Sequence, residues 1–539
     1  MKSAQTIRVT AIAIFAALAM PIWSAAQEAQ EHPHKYHHYK LVDMGTFGGP
    51  SSGISNPSSP TLNRHGALVG ESDTAVTDPY SPNCFLDCYV IQTWVWQNGV
   101  LTALPALPGG ASNFAASIND HGQIAGASQN GTSDSLTGFP RAEAVIWRKG
   151  EVRDLGTLGG NQSNANANNN RGQVVGAALN GTDDPFAGNF VASCVFYAPF
   201  GNCGTFAQMF LFVPAATETR AFLWTATEGM QDLGTLGGPD SSAWIINDRG
   251  QVAGESFTSY SANVSSGVPT VDPFRWDPGQ KKMRDLGGLG GTFGAPLSMN
   301  RRGDVVGSSN LSGDTTAHPF LWTEAEDMQD LGTFAGGSGF GEALSLNDER
   351  EVVGHTSNPD QTVLVAFLWK NRVLTSLGTI GAGTCSVANS INSQGQIVGA
   401  AVDPAFGCSE ELRGLYWDEG SSTPVDLNAL LIPGTTMFVT SGVIINDDGE
   451  IGCFGLNSGD TSSNSHACLL IPCDENHASV ESCDYDTVDA STVVRVVPRG
   501  VKKPQSAAGK INASPFGLHR QFHGISAYRD IGVGVQTRK

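Results

Sequence analysis

Residues 220–254 carry four phrases in order: Arg220-Ala-Phe-Leu-Trp224, Met230-Gln-Asp-Leu-Gly-Thr-Leu-Gly-Gly238, Ser242-Ala-Trp-Ile-Ile-Asn247 and Gly250-Gln-Val-Ala-Gly254. Most of the chain varies this theme, and such repetition constrains the fold more than any single motif. The Asp-Leu-Gly-Thr element recurs around Met44, Leu104, Leu155, Leu233, Leu286, Leu331, Leu377 and Leu427, at intervals of 60, 51, 78, 53, 45, 46 and 50 residues. The Asn-x-x-Gly element recurs at Asn63, Asn119, Asn169, Asn247, Asn300, Asn392 and Asn446; Asn347 keeps the asparagine but has Arg350 in the glycine place. The aromatic element ends at Trp96, Trp147, Trp224, Trp276, Trp322, Trp369 and Trp417, with Leu470 in the last copy.

Each unit resolves into four short strands. Ser242 to Ile246 is small and apolar, Asn247 to Gly250 supplies a tight turn, and Gln251 to Gly254 is a second strand. Ala221 to Trp224 and Met230 to Leu233 are the third and fourth strands of the unit before. Helical periodicity is absent, and 65 glycines suit a chain of many turns. Four strands per unit of about 45 residues match propeller blades. The array opens with a lone fourth-type strand, Tyr39 to Met44, and ends with three strands, Ser441 to Asn446, Glu450 to Cys453 and Ala467 to Leu470. Pairing the first strand with the last three hides two edges. The expected fold is therefore all-β: an eight-bladed β-propeller of four-stranded blades over 39–471, closed by its N-terminal strand.

Outside the array, residues 1–26 read as a signal peptide, with Lys2 and Arg8 before the apolar run Val9 to Met20 and small residues at the end. No other stretch is long and apolar enough to span a membrane, so an exported protein, extracellular or periplasmic, is expected. Residues 27–38 form a polar leader whose His32, His34, His37 and His38 are of metal-ligand type, although a plain spacer explains them more simply. Residues 472–539 read as a mostly disordered tail, acidic and then basic.

The formal net charge is −20; without Lys2 and Arg8 it is −22, and a +8 tail over 491–539 leaves residues 27–490 at −30. Such a body repels nucleic acid and anionic lipid, so no nucleic-acid partner is expected. Ten cysteines fit an oxidising compartment. Proximity pairs Cys84 with Cys88, Cys194 with Cys203, Cys385 with Cys408, Cys453 with Cys468, and Cys473 with Cys483, as local staples on loops; no paired Cys-x-x-Cys points to zinc.

The phrases Phe-Leu-Trp, Asp-Leu-Gly-Thr-Leu-Gly-Gly and Ile-Asn-x-x-Gly-Gln-Val-Val-Gly resemble the bacterial extracellular HAF repeats, named for a His-Ala-Phe triplet. The resemblance covers roughly residues 39–471. The triplet itself is degenerate, as in Arg220-Ala-Phe222, His318-Pro-Phe320, Val365-Ala-Phe367 and His466-Ala-Cys468. It implies a secreted repeat protein of unassigned activity and supplies no catalytic residues.

Insertions mark where a site belongs. Long stretches lie between second and third strands, at 71–92, 127–142, 178–219, 255–272 and 400–412, on the face that also carries the Gly-Thr-Leu-Gly-Gly turns. The insertion 178–219 holds Phe186, Phe190, Phe196, Tyr197, Phe200, Phe206, Phe210 and Phe212 around Cys194 and Cys203, beside Asp183 and Asp184. These rings either bind a sugar or protein, or pack on one another to hold the loop. Asn130 to Asp134 and Asn180 to Asp184 offer oxygens to calcium, but turn chemistry accounts for them; otherwise no cofactor is expected. No Gly-Lys-Ser/Thr, His-Glu-x-x-His or Gly-x-Ser-x-Gly occurs with the context its chemistry needs.

The expectation is a monomeric, non-enzymatic binding scaffold that recognises carbohydrate or a cell-surface protein through the long-loop face. The alternatives are a polysaccharide hydrolase or lyase on the same scaffold, or a structural or adhesive envelope protein. Circular dichroism should show strand with little helix; a helix-rich spectrum would contradict the reading.

Overall fold

The computed structural model describes residues 35–54, 60–81, 88–133, 140–186, 217–264, 267–357, 364–380, 385–402, 412–458 and 464–489. Residues 1–26, expected to be a signal peptide, His32, His34 and the basic stretch 491–539 lie outside them.

The chain is all-β, and its strands form four-stranded antiparallel sheets in sequence order. The third unit is typical, with strands Gly159–Asn168, Val174–Asp183, Thr217–Thr225 and Gly229–Asp232. Two consecutive sheets, 241–285 and 290–330, are joined by one parallel bridge between Val271 and Phe293. The final sheet takes Phe438–Ile445, Ile451–Leu456 and His466–Pro472 and adds the N-terminal strand Tyr39–Asp43, in register from Tyr39 opposite Pro472 to Asp43 opposite Cys468.

The hydrophobic pattern puts the core between sheets. Ala167, Val175, Ala221 and Leu223 of the third unit pack on Ile246, Val252, Phe274 and Trp276 of the fourth. The same cluster type joins Ile54, Leu68 and Trp94 of the first sheet to Ile444, Phe454 and Leu469 of the last. Trp147, Trp322 and Trp417 are fully enclosed, whereas Trp96 and Trp369 are only partly buried. Trp417 Nε1 donates to Leu377 O at 2.7 Å, a partner its buried indole N–H requires.

The glycine of each Val-x-Gly phrase has a steric cause. Opposite Gly254 the first strand changes register between Ala243 and Ile245, a β-bulge. A Cβ on Gly254 would lie 2.0 Å from Ser242 O and 2.8 Å from the Phe274 ring, so only glycine admits both.

The Asn-x-x-Gly turns do more than reverse the chain. Asn247 Oδ1 accepts the amides of Arg249 and Gln251 at 3.0 and 3.1 Å, and its Nδ2 donates to Asn300 O of the next turn at 3.1 Å. The same side-chain step runs Asn63 to Asn119, Asn169, Asn247, Asn300, Asn347, Asn392 and Asn446, each at 2.8–3.3 Å. Asn446 Nδ2 then returns to Asn63 O at 3.0 Å. At the exceptional turn, Arg350 adopts the left-handed φ of 61° itself, and its guanidinium meets Asp304 at 2.8 Å.

Two expectations need correction. The stretch from His37 to His38 and the start of the tail are structured: Lys35–His37 pairs with Thr487–Asp489, and Cys473 N donates to His38 O at 2.8 Å. The cysteines are not all on loops. Cys453 and Cys468 are bonded across neighbouring strands of the last sheet and fully buried, while Cys473–Cys483 closes the segment after it. Cys88 and Cys385 are also disulfide-bonded; Cys84, Cys194, Cys203 and Cys408 lie outside the described residues. Among the described residues no helix is long and apolar enough to cross a membrane.

Truncating Asn247 to alanine strands two amides and a carbonyl in a buried turn, and should lower unfolding free energy by about 2–3 kcal/mol in urea melts. A loss below about 0.5 kcal/mol would show that the ladder is dispensable.

A carboxyl cluster at the root of the aromatic insertion

Asp184 directly follows the second strand of the third unit, Glu218 is the second residue of its third, and Asp240 precedes the first strand of the fourth. All three stand at the strand ends that carry the long connections. They are 8%, 2% and 0% exposed. Burial of a carboxylate is tolerated only with partners or with a proton.

Glu218 has partners. Its Oε1 accepts from the Tyr260 hydroxyl at 2.9 Å; its Oε2 accepts from Asn180 Nδ2 at 3.0 Å and Arg220 Nη2 at 2.5 Å. Burial works to raise its pKa, but these three donors outweigh it and hold the carboxyl below its usual range. Asp240 is the opposite case. Oδ1 accepts one amide, Thr219 N, at 2.7 Å, and Oδ2 has no hydrogen-bond partner among the described residues. Burial, reinforced by the negative charge of Asp184, pushes its pKa up to about 8. Near neutrality Asp240 therefore holds its proton while Glu218 is ionised. Asp184 is also raised, by burial, against the pull of the Phe186 amide on its Oδ1 at 2.8 Å.

Of the residues singled out from sequence, Asp184 and Phe186 belong to this cluster. The Phe186 ring meets Phe257 at 5.9 Å with a 57° tilt. Asp183 does not belong: it is exposed, turned away from its neighbour. Phe190, Phe196, Tyr197, Phe200, Phe206, Phe210 and Phe212 lie outside the described residues. Sequence reasoning passed over Glu218, Arg220, Asp240 and Tyr260. A signal existed at Asp240, because the matching Ser112 and Cys385 also take an amide of the preceding third strand, with neutral side chains. A carboxyl in that place is the anomaly.

The Asn-Gly-Thr stretches lie at the ends of second strands, each with its asparagine side chain closing a local loop. Asn130 Oδ1 accepts Thr132 N at 3.0 Å and Asn180 Oδ1 accepts Thr182 N at 2.8 Å, while both amides bind glutamates, Glu143 and Glu218. No group of three or more His, Cys, Asp or Glu among the described residues could hold a metal ion. A second buried pair, Glu342 and His355, is sealed from solvent at 3.9 Å, and burial drives both toward neutrality, the histidine to about 3.

No family model and no curated protein matches the chain. Among solved structures, it is similar to the Pyrococcus horikoshii acylaminoacyl peptidase, with 10% identity and a TM-score of 0.37 over 75% of this chain and 57% of that one. It is similar also to the β-propeller domain of the Trilobed protease from Pyrococcus furiosus, with 6% identity, a TM-score of 0.36 and coverage of 69% and 98%. A third is the oligogalacturonate lyase from Vibrio parahaemolyticus, with 9% identity, a TM-score of 0.39 and coverage of 82% and 97%. The chain spans just over half the length of the peptidase.

The raised Asp240 pKa fixes a sign. Unfolded, the carboxyl ionises near the usual ~4; folded, it keeps its proton to about 8, so its stabilising effect is full below ~4 and lost as pH rises through about 8. Asp240→Asn mimics the protonated form. Its urea midpoint should gain on wild type between pH 5 and 8, on the order of 1–3 kcal/mol. Parallel pH profiles for the two proteins would refute the assignment.

Proposed function

We propose that the sheets are the blades of an eight-bladed propeller, closed where Tyr39–Asp43 completes the last blade, and that the chain is an exported HAF-type repeat protein. Support for closure comes from the core shared by the first and last sheets and from the return of the asparagine ladder to Asn63. On this scaffold we place a monomeric, non-enzymatic binding function: recognition of carbohydrate or a cell-surface protein by the long-loop face, with no cofactor required and no nucleic-acid partner.

One observation carries the binding reading. The carboxyls at the root of the 187–216 insertion are almost wholly buried and are engaged with backbone amides, Asn180, Arg220 and Tyr260. Groups so enclosed brace the strand ends from which the insertion departs and leave recognition to the loop face. A second reading, a hydrolase or lyase acting on polysaccharide, is favoured by one specific feature: two neighbouring carboxyls with opposite protonation, the division of labour that acid–base catalysis uses.

One experiment separates them. The mature chain and its Asp240→Asn variant are sedimented with insoluble polysaccharides and cell envelopes, and the supernatant is assayed for new reducing ends. Binding by both proteins without release supports the scaffold. Release by wild type that Asp240→Asn abolishes would replace it with the enzyme.

A further inference from the structure

The opposite ends of the strands carry a different kind of surface. Between the second unit (strands Asn113–Ile118, Ile124–Ser133, Pro140–Arg148 and Glu151–Asp154) and the third lies a groove of about 900 Å³. That volume falls within the ~300–1,000 Å³ of small-ligand sites. Its walls are asparagine turns and third-to-fourth turns, so it lies at the strand ends away from the aromatic insertion.

The charge of the groove opposes that of the molecule. Arg148, Lys149, Arg153 and Arg171 line it, and Glu151 is the single acid among the lining residues. All four cations are exposed, and no salt bridge among the described residues involves any of them. Several arginines elsewhere are taken: Arg275 and Arg284 meet Glu324, Arg350 meets Asp304, and Arg413 meets Asp426. Four unneutralised cations in one concavity of a chain with net charge −20 form a local focus for anions. Two of them are pre-positioned. The Arg153 guanidinium lies 5.0 Å from the Trp224 ring centroid, and Arg171 Nη1 donates to Arg249 O at 2.8 Å. Holding part of a long side chain in place lowers the entropy lost when it captures an anion.

We propose that this groove binds an anionic glycan, a saccharide chain bearing carboxylate or sulfate groups. Arginine forks match both anions, and the amide of Gln173 and hydroxyls of Thr225 and Thr227 line the same walls for sugar hydroxyls. Nucleic acid fits less well. Trp224 is 3% exposed beneath Arg153, so its face is closed to a base, and a duplex would lie along an acidic body.

The test uses the full mature chain with alginate oligomers as the carboxylate probe, a sulfated dextran as the sulfate probe, and plain dextran as the neutral control. The main variant is Arg148→Gln, Lys149→Asn, Arg171→Gln; asparagine is chosen because Lys149 has a φ of 54°. A control variant neutralises Lys281 and Lys282 on the corresponding turn of the fourth unit, outside the groove. Titrations at low salt should show binding of one or both anionic probes and none of plain dextran. The groove variant should bind about tenfold more weakly with an unchanged melting temperature, while the control matches wild type. Which probe binds tells carboxylate from sulfate. Absence of binding to both anionic probes, or equal binding by the groove variant, overturns the site; the latter result would assign affinity to the basic tail, which every variant retains. Duplex DNA bound as tightly as the glycans overturns the glycan assignment. The loop-face experiment alters Asp240 alone, so either proposal can fail without the other.

Discussion

The side chain of one asparagine per unit joins each sheet of this structure to the next. Each accepts two amides of its own turn and donates to the carbonyl of the next asparagine. A tight turn with buried amides would otherwise leave donors without acceptors, at about 1–3 kcal/mol each. By supplying both needs with one residue, the turn becomes a joint between sheets. Spacing along the chain can then vary widely, because contact between neighbours is set at the joint and not by loop length. The 78-residue interval before Leu233 is accommodated without a break in the ladder.

Much of this was legible because the repeat writes each constraint many times. Asn247, Gly250, Gly254 and Trp276 each report a local demand: an amide-accepting turn, a positive φ, a bulge with no room for Cβ, and an inter-sheet ring. The lone strand at Tyr39 was readable by arithmetic on the strand types, and its pairing with His466–Pro472 is present. What escaped was whatever departs from the repeat only once. Glu218 and Asp240 are 22 residues apart in sequence and have nothing in their immediate neighbours to mark them as a pair. The groove was equally hidden, since its cations come from two units, with Arg148, Lys149 and Arg153 around one turn and Arg171 on another, and look like ordinary solvated charge one at a time. The structured segment after Pro472 was missed for a related reason: proximity pointed to the Cys473–Cys483 bond, but an acidic, polar composition gave no sign of the strand Thr487–Asp489.

The two ends of the strands differ in kind as well as in charge. At the end where the insertion departs, three carboxyls and a partly loaded arginine are buried, and Arg220 Nε finds no partner among the described residues. At the other, in the groove between the second and third units, four cations are exposed and outside any salt bridge among the described residues. At these two places acidic groups are buried and basic groups exposed, the reverse of what an overall charge of −20 would suggest for the local surface. Average charge is a poor guide to a molecule built from repeated parts, because each part can be decorated separately.

Tyr39–Asp43 pairs with His466–Pro472, and Asn446 bonds Asn63 across 383 residues of sequence. During synthesis the strand Tyr39–Asp43 emerges long before its partner His466–Pro472. For most of translation that strand has no native sheet to join, and the first sheet has no neighbour on one side. Such long-range contacts slow folding, and unpaired edges invite pairing with other chains. The finished molecule pairs these strand edges; the growing one cannot, so the interval before Pro472 is made is when it is most exposed to misassembly.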